Sequence, residues 1–219
     1  MKVVSVVLTH KALTYDRTSM LLDTVASLRE ADEVLLIDNG SDDGSAPYVK
    51  ALGGVAYEPP DGVSTCGRGM NICIGAAAKR GDLVVFSNDD IVWREGWRAK
   101  LEAFWKAAPS DVMIVSGLLE IDYPWNKPVG PIDSGGVRGL VRETVPGGAW
   151  TLRSTDWPRI GPIPEKAGWD DVPTCHKINN RGGRCVSLDL TEHAGEGAST
   201  WGNSSARFGK PLDREAWGL

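Results

Sequence analysis

Short runs of β-branched and aliphatic residues recur along the first half of the chain, with amphipathic stretches between them. Val3-Val4-Ser5-Val6-Val7-Leu8 is the first, followed by Val34-Leu35-Leu36-Ile37, Leu83-Val84-Val85-Phe86 and Val112-Met113-Ile114-Val115. Runs without polar alternation suit strands covered on both faces, the condition of a parallel sheet. Between the first two, Thr18 is placed to cap a helix whose Leu21, Leu22, Val25 and Leu28 share a face, with Asp23, Ser27 and Glu30 on the wet side. Ser45 opens a second helix. A third is predicted near Met70–Lys79, after the short run Val55-Ala56-Tyr57, and a fourth over Trp97–Ala107. Strand and helix in alternation predict an α/β fold, a doubly wound and mostly parallel sheet with helices on both faces.

The chain has 219 residues, 42% apolar and 24% charged, the balance of one ordinary globular domain. A net charge of −5 argues against a general binder of nucleic acid or membrane surfaces. Val3–Leu8 is far shorter than the roughly 20 apolar residues that span a bilayer. His10 and Lys11 close it without a small-residue cleavage site, so neither a membrane span nor a secretory signal is expected. Cys66, Cys73, Cys175 and Cys185 contain no Cys-x-x-Cys pair and read as reduced thiols, so a cytoplasmic protein is expected. A metal cluster of Cys175, His176, Cys185 and His193 matches no common zinc spacing.

After residue 120 proline and glycine thicken, and tryptophans stand at 125, 150, 157 and 169. Loops and short strands around one more helix near 170–181 are expected there. From Ala194 the chain is rich in Gly and Ser, and reads as a flexible loop and tail with Trp201, Phe208 and Trp217 as anchors. The stretch from Ala194 to Arg207, with three glycines and few apolar residues, suits a lid over a bound ligand.

In open α/β sheets, ligands sit at the carboxyl ends of strands near a topological switch point. The polar strand ends here are Thr9-His10, Asp38-Asn39, Asn88-Asp89-Asp90 and the stretch beyond Val115. Common nucleotide loops fail: Ile72 stands where Gly67-x-Gly69 would need a third glycine, and Gly209-Lys210 runs into Pro211. Neither Gly-x-Ser-x-Gly nor His-Glu-x-x-His occurs. What remains is acidic. Asp89 and Asp90 could hold a hard divalent cation, or the triplet could cap the following turn. Asp170 and Asp171, beside Trp169, could cap a helix or act as a general base. His193, alone before a Gly-rich loop, is structural by default.

The order of these blocks supplies the context. Val4-Ser5-Val6-Val7-Leu8-Thr9, Leu36-Ile37-Asp38-Asn39-Gly40-Ser41-Asp42-Asp43-Gly44-Ser45, Gly69-Met70-Asn71-Ile72-Cys73-Ile74-Gly75 and Val85-Phe86-Ser87-Asn88-Asp89-Asp90 resemble the family 2 glycosyltransferases of GT-A fold. Gly168-Trp169-Asp170-Asp171-Val172 and His193 continue the resemblance, which covers about residues 3 to 199. It implies that Thr9 and His10 meet the nucleotide and that Asp38 holds the base or ribose. It places Arg68 and Asn71 toward the nucleotide and its diphosphate, with Asn88 and Asp89 on the donor. Asp90 would bind the metal with help from His193, and Asp171 would be the catalytic base, next to Asp170. Asn88 departs from the aspartate that many members carry.

The resemblance implies an inverting transferase that uses Mn²⁺ or Mg²⁺ and a nucleotide-diphosphate sugar, of UDP type. The acceptor would be a hydroxyl on a sugar, a lipid carrier, a protein or a modified nucleic acid base. Residues 1–115 would bind the donor, 116–193 the acceptor, and 194–219 would form the loop and tail. Trp150 and Trp169 would offer walls on which a sugar can stack. Two rivals remain: a noncatalytic binder of nucleotide sugars, mildly favoured by Asn88, and a nucleotidyltransferase. Thr9-His10-Lys11-Ala12-Leu13 disfavours the second, since that class opens with a Gly-rich loop.

Overall fold

The computed structural model describes residues 1–119, 121–122, 126–165, 171–194 and 210–211. Among the described residues there are thirteen strands: β1 Val3–Thr9, β2 Glu33–Asn39, β3 Val55–Tyr57, β4 Leu83–Asn88, β5 Ile91–Trp93, β6 Val112–Ser116, β7 Ile121–Asp122, β8 Pro128–Ser134, β9 Val137–Arg142, β10 Ala149–Arg153, β11 Arg184–Ser187, β12 Thr191–His193 and β13 Lys210–Pro211. The helices are α1 Thr18–Ser27, α2 Ser45–Ala51, α3 Cys66–Ala78, α4 Trp97–Ala107, α5 Trp157–Ile160 and α6 Asp171–Asn179.

Nine strands form one sheet in the order β3-β2-β1-β4-β10-β6-β11-β9-β8. The pairs among β3, β2, β1 and β4 are parallel, as is β6 with β11. β10 and β9 run against their neighbours, so the sheet is mixed and mostly parallel. Side chains alternate across it. Val3 and Val7 join a core with Leu21, Leu28, Val49, Trp97, Leu101 and Phe104 on the face of α1, α2 and α4. Val4, Val6 and Leu8 join Met70, Ile74, Ile160, Cys175 and Ile178 on the face of α3, α5 and α6. Two faces each carrying a helix layer explain why the strands lack polar alternation.

Several local expectations are corrected. Arg17, not Thr18, precedes the first turn of α1, and no side chain caps it. Leu22 is exposed, and the buried stripe is Leu21, Thr24 and Leu28. α3 begins four residues earlier than its apolar pattern, at Cys66, because Thr65 Oγ1 accepts the amide of Arg68 and caps the helix there. Among the described residues the proline-rich second half carries the expected short strands, β7 to β12, and the expected helix, α6, though the strands build much of the sheet. β10 runs between β4 and β6 in the middle of the sheet, while β8, which carries Pro128 and Pro131, tolerates them as the outermost strand.

Candidate active site

The chain leaves β1, adds β2 and β3 on one side, then crosses to lay β4 on the other. The carboxyl ends of β1 and β4 therefore flank a switch point. There the Thr9 hydroxyl donates to Asp89 Oδ2 at 2.6 Å. Arg17 Nη1 donates to Asp89 Oδ1 at 2.8 Å, and its Nη2 to the His10 carbonyl at 2.8 Å. Asp89 is 2% exposed, and burial pushes its carboxyl up to about 6 against the pull of Arg17 and Thr9. Both oxygens of Asp89 are thus committed to the protein.

Asp90 differs. It is equally buried, yet its Oδ1 has no hydrogen-bond partner, and burial pushes its carboxyl up to about 6. Its carbonyl accepts the Ala194 amide at 2.8 Å, where the chain enters β5, whose antiparallel partner β12 sets His193 opposite Ile91. The fold thus brings Asp90 and the exposed His193 to neighbouring positions. No group of three His, Cys, Asp or Glu among the described residues could hold a metal ion alone. A buried carboxylate oxygen without a partner, with a histidine on the neighbouring strand, fits a divalent cation that takes its other ligands from water or a diphosphate. Cys175 and Cys185 are buried in the α6-side core, away from any such role.

The β2 end is a lock between loops. Both oxygens of the fully buried Asp38 accept from Ser41, one from its amide at 3.0 Å and the other from its hydroxyl. Asp43 accepts the amides of Ser45 and Thr14, and Ser41 Oγ accepts the amide of Lys11. His10 Nδ1 lies 2.9 Å from the Asn39 carbonyl, which can only accept, so that nitrogen carries the proton. Thr9, His10, Asp38, Asn88, Asp89 and Asp90 are gathered at the carboxyl ends of the adjacent strands β2, β1 and β4. Gly69 sits against it because a Cβ there would meet Leu8 Cδ1 at 2.8 Å and Asn39 Nδ2 at 2.9 Å.

Arg68 and Asn71 are turned elsewhere. Arg68 binds Asp61 and the Val63 carbonyl on one side and Glu165 on the other. Asn71 grips Ile163, accepting its amide at 2.8 Å and donating to its carbonyl at 2.9 Å. Neither is bonded to the β1, β2 or β4 ends.

Asp171 opens α6 and is largely buried, which raises its carboxyl above the ordinary range against bonds from the Val172 and Gly147 amides. The next residue of that loop, Gly148, accepts the Asn88 amide at 2.8 Å. One Pro146-Gly147-Gly148 turn therefore touches both the acidic triplet and Asp171. Trp150 is fully buried in the core, with no ring face left for a ligand. This corrects its expected stacking role. Asp170 and Trp169 lie outside the described residues, as does all of the Ala194–Arg207 lid after its first residue.

Sequence reasoning missed Arg17, whose partner is far along the chain, and the Gly147-Gly148 contacts. The glycine pair was the only signal for the latter.

A mixed, mostly parallel sheet with carboxylates at its switch point has counterparts among solved structures. GalNAc-T7 with UDP, GalNAc and Mn²⁺ aligns at TM-score 0.64 and 16% identity, over 87% of this chain and 43% of that one. TarS 1–349 of S. aureus aligns at 0.56 and 17%, over 88% and 59%. The mannosyltransferase PcManGT of Pyrobaculum calidifontis, with GDP-Man and Mn²⁺, aligns at 0.55 and 18%, over 85% and 54%. This chain spans about half the length of these proteins, and the likeness establishes the GT-A fold. No curated protein matches it. The model of glycosyl transferase family 2 matches residues 13–133, and the chain belongs to that family.

Proposed function

We propose that the protein is an inverting, metal-dependent glycosyltransferase that moves a sugar from a nucleotide-diphosphate sugar, of UDP type, to an acceptor hydroxyl. The observation that carries the reading is the Gly147-Gly148 turn, which bonds Asp171 on one side and Asn88 on the other. A base and a donor-side acidic strand end held across one turn is what direct displacement needs. Asp171 takes the acceptor proton, the hydroxyl oxygen attacks the anomeric carbon from the face opposite the diphosphate, and the diphosphate leaves. Burial keeps Asp171 a stronger base than an exposed carboxylate.

Asp90 and His193 are the residues that would hold the cation, which when bound neutralises charge on the leaving diphosphate. Asp38 and His10, at the adjacent strand ends, belong to the donor side, where they hold the loops after β1 and β2 in place. Residues 1–115 supply the donor side and 116–193 the acceptor side. The family match favours this reading over a nucleotidyltransferase. No described helix is long and apolar enough to cross a membrane. The acceptor is a hydroxyl on a sugar, a lipid carrier, a protein or a modified nucleic acid base.

The test is a panel of UDP- and GDP-sugars scored by thermal stabilisation with Mn²⁺ and with chelator, followed by product analysis of the stabilising donor. Stabilisation that needs Mn²⁺, with inverted product, supports the reading. Metal-dependent binding with no turnover on any acceptor class would instead make the chain a noncatalytic binder.

A further inference from the structure

Between α5 and the residues before α6 runs the segment Ile160-Gly161-Pro162-Ile163-Pro164-Glu165, and side chains from two helices grip it at almost every residue. From α6, Lys177 Nζ donates to the carbonyls of Ile160 at 2.7 Å and Gly161 at 2.8 Å. From α3, Asn71 takes both backbone groups of Ile163, at 2.8 and 2.9 Å. Arg68 Nε donates to Glu165 Oε2 at 3.1 Å, and Asn71 Nδ2 reaches its Oε1 at 3.4 Å. Beneath the segment, Ile160 and Ile163 are buried among Met70, Ile74, Cys175 and Ile178.

Asn71 is central to this grip. A short segment with two prolines has few amides of its own for a ladder, so its backbone must be held from outside. An asparagine that accepts from the N–H and donates to the C=O of one residue mimics a strand neighbour. We infer that Asn71 is a positioning residue: by clamping Ile163 it fixes the strap that Lys177 of α6 also grips, and so steadies α6 and the base Asp171 at its first turn against the Gly147 amide. This rests on the proposed role of Asp171. It differs from the role the family resemblance implies for Asn71, a place on the donor.

The two roles separate in one experiment on the full chain. Asn71→Ala and the milder Asn71→Ser are compared with wild type by hydrogen–deuterium exchange over residues 157–179 and by calorimetry with UDP and Mn²⁺. The expected result is exchange at least about 10-fold faster at Ile163 and in the first turn of α6, with β1 and β4 protection intact and UDP affinity within about 2-fold. With the active donor, kcat should fall about 10-fold or more while the donor KM holds, Asn71→Ser falling less. A 10-fold loss of UDP affinity with unchanged exchange overturns the inference and makes Asn71 a donor contact. Unchanged exchange in both variants, or faster exchange with unchanged kcat, overturns it as well. If wild type fails to bind UDP, or Asp171→Asn keeps full turnover, the proposed function fails instead. The exchange arm still reads the clamp.

Discussion

Arg17 and Asp89 form an ion pair of 2.8 Å in which both side chains are more than nine-tenths removed from solvent. The guanidinium also closes the β1 end by binding the His10 carbonyl. The pair thus joins three pieces of chain, and it leaves Asp90 as the carboxylate of the triplet with a free oxygen. Breaking a buried pair strands its partner charge, at a cost of about 3–5 kcal/mol. Arg17→Met should lower unfolding stability on that scale in urea titration, and Arg17→Met with Asp89→Leu should recover much of it. A loss under about 1 kcal/mol for the single variant would contradict the pairing.

Asp90 should trade stability for its role. Its folded carboxyl, at about 6, lies above its ordinary value of 3.8, so the folded chain binds that proton more tightly than the unfolded one. Its stabilising contribution is complete below about pH 4 and is lost as pH rises through about 6. Asp90→Asn, neutral throughout, should therefore gain on wild type over that window, by up to about 3 kcal/mol at pH 7.5 in chelator. Stability curves that run parallel from pH 4 to 7.5 would contradict the burial of this charge.

Gly147 should be intolerant for a different reason. A Cβ there would lie 3.2 Å from Asp171 Cβ, so alanine must displace either the turn or the base. Gly147→Ala should cut turnover by about 10-fold or more through misplacement, while UDP affinity stays within about 2-fold. Equal losses in both would mean that the turn serves the donor.

The fold was legible because its signal is local. β3 and α4 fall on the residues their patterns mark, and β1, β2, β4 and β6 fall within one to two. The Thr65 cap and the inward turn of Leu21 with Thr24 were weaker signals, since caps compete with apolar periodicity. The candidate site was legible as a set of strand-end acids, but not as roles. Nothing in Asn88-Asp89-Asp90 says which carboxylate is spent on Arg17, because that partner lies 72 residues away. Arg68 and Asn71 stand in a donor-like motif, yet their partners at 163 and 165 lie more than 90 residues away. Trp150 reads as a ligand wall or as core, and only its place between β4 and β6 decides for core.

The central claim is that Asp171 is the base and Asp90 belongs to the donor, and the pair of variants Asp171→Asn and Asp90→Ala measures it most directly. With the active donor, Asp171→Asn should bind UDP and Mn²⁺ within about 2-fold of wild type and lose about 10²-fold or more in kcat. The wild-type kcat should fall on acidification through a value above the ordinary carboxylate range, the direction in which burial moves Asp171. Asp90→Ala should lose Mn²⁺-dependent UDP binding itself. Full turnover in Asp171→Asn, or undiminished metal-dependent binding in Asp90→Ala, would contradict the account.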